Sequence, residues 1–154
     1  MADAVVRRAG LEDAGAIGRL LHDFNVEFED VTPGPERLAE RMRELLETGD
    51  TAVVIGGHGP DGLAVMRFSP AIWTDGLECY LAELYVAPSR RGRGLGRELM
   101  DAALNLARER GADYIYLATS EDDEVARALY EKMGFSNREG KPDGPVLYVY
   151  ERDL

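Results

Sequence analysis

The sequence predicts an α+β fold, a mixed and mostly antiparallel central sheet flanked by helices in three layers, α/β/α. Strand-like and helix-like periodicities follow one another in the order β, α, α, three strands, α, β, α, β. The three consecutive strands are separated by short glycine-bearing turns, which makes them an antiparallel meander rather than part of a doubly wound parallel sheet. At 154 residues with 45% hydrophobic content, the chain is expected to build one domain, residues 1–154, around one core.

Residues 4–8 open the chain as a short edge strand. Leu11, Ala14, Ile17, Leu21, Phe24 and Phe28 then recur at intervals of three and four, the period of an amphipathic helix. A second helix is expected over residues 35–47. Leu38, Met42, Leu45 and Leu46 make its apolar stripe, Pro35 suits the first turn, and Gly49 suits the stop. Strands follow at residues 51–55, 63–68 with an extension towards Trp73, and 77–87. The last of these carries Tyr80-Leu-Ala-Glu-Leu-Tyr-Val86, nearly all apolar, as in a central strand covered on both faces. Leu95, Leu99, Ala102, Ala103, Leu106 and Ala107 mark a helix closed by Gly111, and residues 114–118 a strand. Residues 124–133 form a helix with Val125, Ala128 and Leu129 expected on its core side, and residues 146–150 alternate as a final strand.

The net charge of −11 argues against nucleic acid or an anionic membrane as partner. No apolar run approaches the roughly 20 residues of a membrane span and no signal pattern opens the chain, so a cytoplasmic protein is expected. Cys79 is the single cysteine, expected buried and inert, and with the isolated His22 and His58 it leaves no metal site to expect.

Against this acidic background, Arg90, Arg91, Arg93 and Arg97 place four positive charges in eight residues, interleaved with Gly92, Gly94 and Gly96. A glycine loop between a strand and a helix points backbone N–H groups at one spot, and the helix dipole adds partial positive charge there. A small anion such as phosphate fits. The loop ends Gly96-Arg97-Glu98, so it lacks the Gly-Lys-Ser/Thr of a P-loop, and Arg97 stands where a dinucleotide fingerprint needs its third glycine. A plain glycine-rich turn with solvated arginines remains the alternative on these residues alone.

Arg91, Gly94 and Gly96 have the spacing Gln/Arg, two residues, Gly, one residue, Gly/Ala. With Glu83-Leu-Tyr-Val-Ala-Pro88 before the loop and Ala128-Leu-Tyr-Glu-Lys-Met-Gly-Phe135 after it, the chain resembles the GCN5-related N-acetyltransferase (GNAT) superfamily. The resemblance implies acetyl-CoA as acetyl donor. It puts the pyrophosphate over Arg91, Gly92, Arg93, Gly94, Leu95, Gly96 and Arg97, and the pantetheine arm along the backbone of Leu84, Tyr85 and Val86. Asp123 and Ala126 occupy positions near the cofactor arm in relatives, Asp123 standing where asparagine is frequent, and Arg127 is placed to meet a phosphate. Tyr130 matches the tyrosine that protonates the departing thiolate.

The implied reaction is direct attack of an amine on the thioester. A primary amine with pKa near ~10.4 must lose a proton at pH 7, which costs on the order of 4.6 kcal/mol. Glu83 is the one acid within the apolar run 81–86, and a carboxylate there needs a function or a partner. It is the candidate general base, acting through water, although polyamine acetyltransferases of the superfamily carry their glutamate one position earlier, where this chain has Ala82.

Asp23, Glu27, Glu29 and Asp30 crowd the end of the first helix, and Phe24, Phe28 and Trp73 are aromatic neighbours. Phe24, Glu27, Phe28 and Asp30 are the candidate acceptor residues, suited to a small cationic amine such as an aminoglycoside, polyamine or amino-acid-like compound. A non-catalytic acyl-CoA sensor and an arginine-mediated partner-binding domain are the rival readings. The resemblance also allows a homodimer with Tyr148 and Tyr150 at its interface.

Overall fold

The computed structural model describes residues 5–154, so Ala4 of the expected first strand lies outside the described residues. The chain forms two compact units, divided after Ile115. In the first, β1 (Val6–Arg8), β2 (Thr51–Gly56), β3 (Gly62–Pro70), β4 (Leu77–Val86) and β5 (Ala112–Tyr116) make a mixed five-stranded sheet in sequence order. The pairs β1/β2, β2/β3 and β3/β4 are antiparallel. The helices of this unit are α1 (Ala14–Glu27), α2 (Pro35–Thr48) and α3 (Leu95–Glu109).

β2 is buried along its whole length, so both of its faces must be covered. Ile17 and Leu20 of α1 and Met42 of α2 pack with Val53, Ile55, Leu63, Val65 and Tyr85 on one face. α3 lies on the other, burying Leu95, Leu99, Met100, Ala103, Leu106 and Ala107. Two glycines let it come close. A Cβ on Gly56 would stand 2.8 Å from Leu95 Cδ1, and one on Gly62 would stand 2.9 Å from the Tyr85 carbonyl and 3.0 Å from Leu99 Cδ1. The first turn of α3, and the loop that leads into it, are thereby seated on the ends of β2 and β3.

The expected elements of this unit recur with small shifts at their ends. The first helix begins as a 3-10 turn, Leu11–Asp13, before α1, and Asp13 is tied to the strand before it by a two-bonded ion pair with Arg7 at 2.8 and 2.9 Å. β3 stops at Pro70, short of Trp73, which is 93% exposed. β4 is less regular than its composition suggests. Val65 pairs with Glu83 but Met66 pairs with Leu81, leaving Ala82 as an extra residue, a β-bulge.

The second unit, Tyr116–Leu154, carries α4 (Glu124–Lys132). The helix α4 buries none of its residues, and Val125 is 85% exposed, which corrects the expected core side of this helix. The expected strand over residues 146–150 is also corrected. Its described backbone makes one isolated bridge, Arg138 to Val146, plus the bond from Leu147 N–H to Asn137 O, and Tyr148 and Tyr150 are exposed. Alternation makes a segment compatible with a strand, but a strand exists only where a second edge accepts its hydrogen bonds.

Candidate active site

The glycine loop follows β4 through a 3-10 turn at Pro88–Arg90, whose start Pro88 enforces. Gly92 (φ 77°) and Gly94 (φ 86°) adopt the left-handed backbone that disfavours other residues, and Gly94 is the N-cap of α3. Glu98 N–H donates to Gly94 O at 3.0 Å, the first turn bond of the helix. Among the described residues, the N–H groups of Gly92, Arg93, Gly94, Leu95, Gly96 and Arg97 make no hydrogen bond. A run of unspent donors ending in a helix N-terminus is the arrangement that binds phosphate.

The arginines around the loop differ in what they hold. Arg91 Nε donates to Val86 O at 2.9 Å, and both terminal nitrogens meet the Glu27 carboxylate at 2.8 Å. Arg90 lies 3.4 Å from Asp61, and Arg97 lies 3.8 Å from Asp101 one helical turn on. Arg93 makes no ion pair among the described residues. While the Asp61 carboxylate faces Arg90, its backbone carbonyl accepts from Ala87 N–H at 2.7 Å, tethering the residue where β4 ends.

Glu27, at the end of α1, therefore faces Arg91 rather than open solvent, and it also accepts from Tyr85 Oη at 3.0 Å. The Arg91 guanidinium holds the Glu27 carboxyl below the ordinary carboxylate range, while burial and the adjacent Glu27 push Tyr85 up to about 12. Phe24 stacks on Tyr85 at 4.8 Å and meets Phe28 edge-on at 5.4 Å. Phe24 and Phe28 are thus brought together with the end of β4, whereas Trp73 is not part of this aromatic group. The Asp30 side chain makes no hydrogen bond among the described residues; its N–H donates to Asn25 O at 2.8 Å.

Glu83 follows the bulge. Because Ala82 is the extra residue, Glu83 shares the face of its partner Val65, and Ala82 packs against the same core. Glu83 is reached by solvent, yet the protein around it strips hydration and pushes its carboxyl above the ordinary range; it has no hydrogen bond or ion pair among the described residues. Leu84, Tyr85 and Val86 pair with Ala64, Leu63 and Gly62 of β3 on one edge. Leu77 N–H donates to Gly111 O at 3.1 Å, so β5, five residues long, starts beside the first half of the ten-residue β4.

In the second unit, Asp123 caps α4, its side chain accepting from Ala126 N–H at 3.2 Å. Arg127 donates to the Glu121 carbonyl at 2.8 Å. Tyr130 is fixed by the end of its helix. Gly134 (φ 92°) donates to Glu131 O and Phe135 donates to Tyr130 O, a Schellman stop, with the Phe135 ring edge-on to Tyr130 at 6.0 Å. Burial, helped by Asp123, raises the Tyr130 phenol to about 12, so it keeps its proton at neutral pH.

The chain is similar to known acetyltransferases. The crystal structure of an acetyltransferase candidate from Arthrobacter sp. FB24 superposes with a TM-score of 0.88 at 42% identity, covering 100% of this chain and 98% of that one. The uncharacterized N-acetyltransferase YjgM of Escherichia coli (strain K12) is 29% identical over 145 residues, 86% of this chain and 82% of that protein. Streptothricin acetyltransferase of Streptomyces lavendulae is 37% identical over 87 residues, 56% of this chain and 44% of that protein. A model of the acetyltransferase (GNAT) family matches residues 19–135, about three quarters of the sequence. The chain belongs to the acetyltransferase (GNAT) family and is an N-acetyltransferase, of a family whose cosubstrate is acetyl-CoA.

Proposed function

We propose that this protein transfers the acetyl group of acetyl-CoA to the primary amine of a small cationic acceptor by direct attack. The observation that carries the reading is the row of N–H donors from Gly92 to Arg97 that are unspent among the described residues, opening onto α3 beside Arg93, which makes no ion pair among them. The pyrophosphate takes those donors, and the pantetheine arm follows the last residues of β4, Leu84, Tyr85 and Val86. The family resemblance assigns Asp123 and Ala126 to the cofactor arm and Arg127 to a phosphate; the Arg127 guanidinium donates to Glu121 O at 2.8 Å.

The acceptor nitrogen must first be neutral. Glu83, without a hydrogen bond or ion pair among the described residues and made more basic than an ordinary carboxylate by the protein that displaces its hydration, receives its proton through water. The nitrogen lone pair then forms the new C–N bond at the thioester carbonyl, the C–S bond breaks, and sulfur leaves with the electron pair. Tyr130 supplies a proton to that sulfur, and the proton that the nitrogen sheds as the amide forms passes through solvent to the phenolate left on Tyr130; a phenol raised to about 12 is protonated at every pH where the amine can be neutralised by a carboxylate.

The acceptor class rests on charge. Asp23, Glu29 and Asp30 lie at the end of α1 and just beyond it, and Asp23 is close enough for its charge to act on Tyr85. Such a surface draws cations. The name of the Streptomyces lavendulae relative, which acetylates streptothricin, points the same way.

The test follows free thiol release from acetyl-CoA over a panel of polyamines, aminoglycosides, amino acids and short peptides. Release is expected with at least one polycationic amine and is expected to fall by about 10²-fold in Tyr130→Phe. Release with neutral amino compounds only would contradict the acceptor class, and binding of acetyl-CoA with release from none would favour a sensor.

A further inference from the structure

The sequence gives Arg91 to the cofactor and Glu27 to the acceptor, yet the structure binds them to each other across 64 positions of the chain. All three nitrogens of the Arg91 guanidinium donate: Nε to Val86 O at 2.9 Å, and the two terminal nitrogens to the two Glu27 oxygens at 2.8 Å each. Its carbon lies 5.6 Å from the centre of the Tyr85 ring, and Tyr85 Oη donates a hydrogen bond to Glu27 Oε1 at 3.0 Å. Such a two-pronged arginine–carboxylate pair fixes orientation as well as distance. The side chains of Arg91 and Glu27 retain 44% and 26% of their exposure, so the pair is only partly screened by water.

Arg91 is also the hinge of the loop. It is the last residue with extended backbone (φ −72°, ψ 155°) before Gly92 turns to φ 77° and the unspent N–H groups begin. Its side chain is held to Val86 and to Glu27 of α1 at the point where the loop begins.

From this geometry we infer that Glu27 is a positioning residue for the anion loop: its carboxylate holds Arg91, and through it the N–H row that takes the pyrophosphate, and it does not bind the acceptor amine. Tyr85 completes the anchor by holding Glu27 in turn, with Phe24 stacked behind it. The inference rests on the acetyl-CoA reading above and assigns Glu27 to the donor half of the reaction. Acceptor recognition is left to Asp23, Glu29 and Asp30.

The experiment compares wild type with Glu27→Gln and Arg91→Lys, measuring dissociation constants for acetyl-CoA and for S-acetylpantetheine, which lacks the pyrophosphate, and the amine KM at saturating acetyl-CoA. Glu27→Gln keeps the size of the side chain but loses the ionic fork. It is expected to weaken acetyl-CoA by about tenfold or more, while S-acetylpantetheine and the amine KM stay within about twofold. Arg91→Lys keeps the charge and loses the fork, so it should give the same pattern, and the double variant should lose little more than either single one. Unchanged acetyl-CoA affinity, an equal loss for both thioesters, or a raised amine KM would each overturn the inference. Wild type that fails to bind acetyl-CoA would instead overturn the functional reading itself.

Discussion

Exchanging Gly94 for alanine separates loop geometry from general stability. Gly94 sits at φ 86°, and a Cβ built there meets nothing within 4 Å, so strain is the whole cost and no clash adds to it. An L residue in the left-handed region costs about 1–2 kcal/mol. Losing the extra freedom of glycine in the unfolded chain offsets about 0.4–1 kcal/mol of that. The net loss is about 1 kcal/mol, a fall in Tm of roughly 2–4 °C for a chain of this length. Gly49 supplies a matched control. It caps α2 at φ 83°, and its Cβ also meets nothing within 4 Å. Gly49→Ala and Gly94→Ala should therefore melt together. They should part in calorimetric titration with acetyl-CoA, where Gly49→Ala binds as wild type does and Gly94→Ala binds about tenfold or more weakly. The reason is that an L residue at this position biases the backbone away from the left-handed conformation that sets the direction of the loop N–H groups. Equal binding by the two variants would refute the reasoning.

Glu83→Gln should lower kcat by about 10²-fold or more while leaving Tm at pH 7 equal to or above that of wild type. Burial raises the Glu83 carboxyl, so its contribution to stability is fully present when it is protonated and is lost as pH rises through the raised value. The stability gap should close on acidification, and a Tm at pH 7 below that of wild type would contradict the account. Leu99→Ala, at a fully buried site under the first turns of α3, should cost about 2–5 kcal/mol in urea denaturation; a loss below ~1 kcal/mol would contradict the packing. Cys79 is buried and pushed up to about 11, so its thiol should react with a disulfide reagent far more slowly in native protein than in urea.

Much of this was legible in the sequence because periodicity reports burial directly. The stripe of α3 and the buried run of β2 appear as patterns, and the alternation of glycine with arginine before a helix announces an anion loop. The bulge at Ala82 was hidden, since an apolar run looks the same with or without an extra residue, and only the pairing of Val65 with Glu83 and Met66 with Leu81 reveals it. The Arg91–Glu27 fork was hidden for another reason: composition shows that charges exist but not which opposite charge they meet across the fold. The misread strand at residues 146–150 shows the limit of alternation, which encodes a face but not the neighbouring edge.

Titration of acetyl-CoA into the purified protein, followed by calorimetry, tests the central claim most directly. Saturable one-to-one binding that weakens sharply in Gly94→Ala is the expected result. No heat of binding from a folded wild-type protein would contradict the assignment of the loop to the cofactor's pyrophosphate and, with it, the proposed reaction.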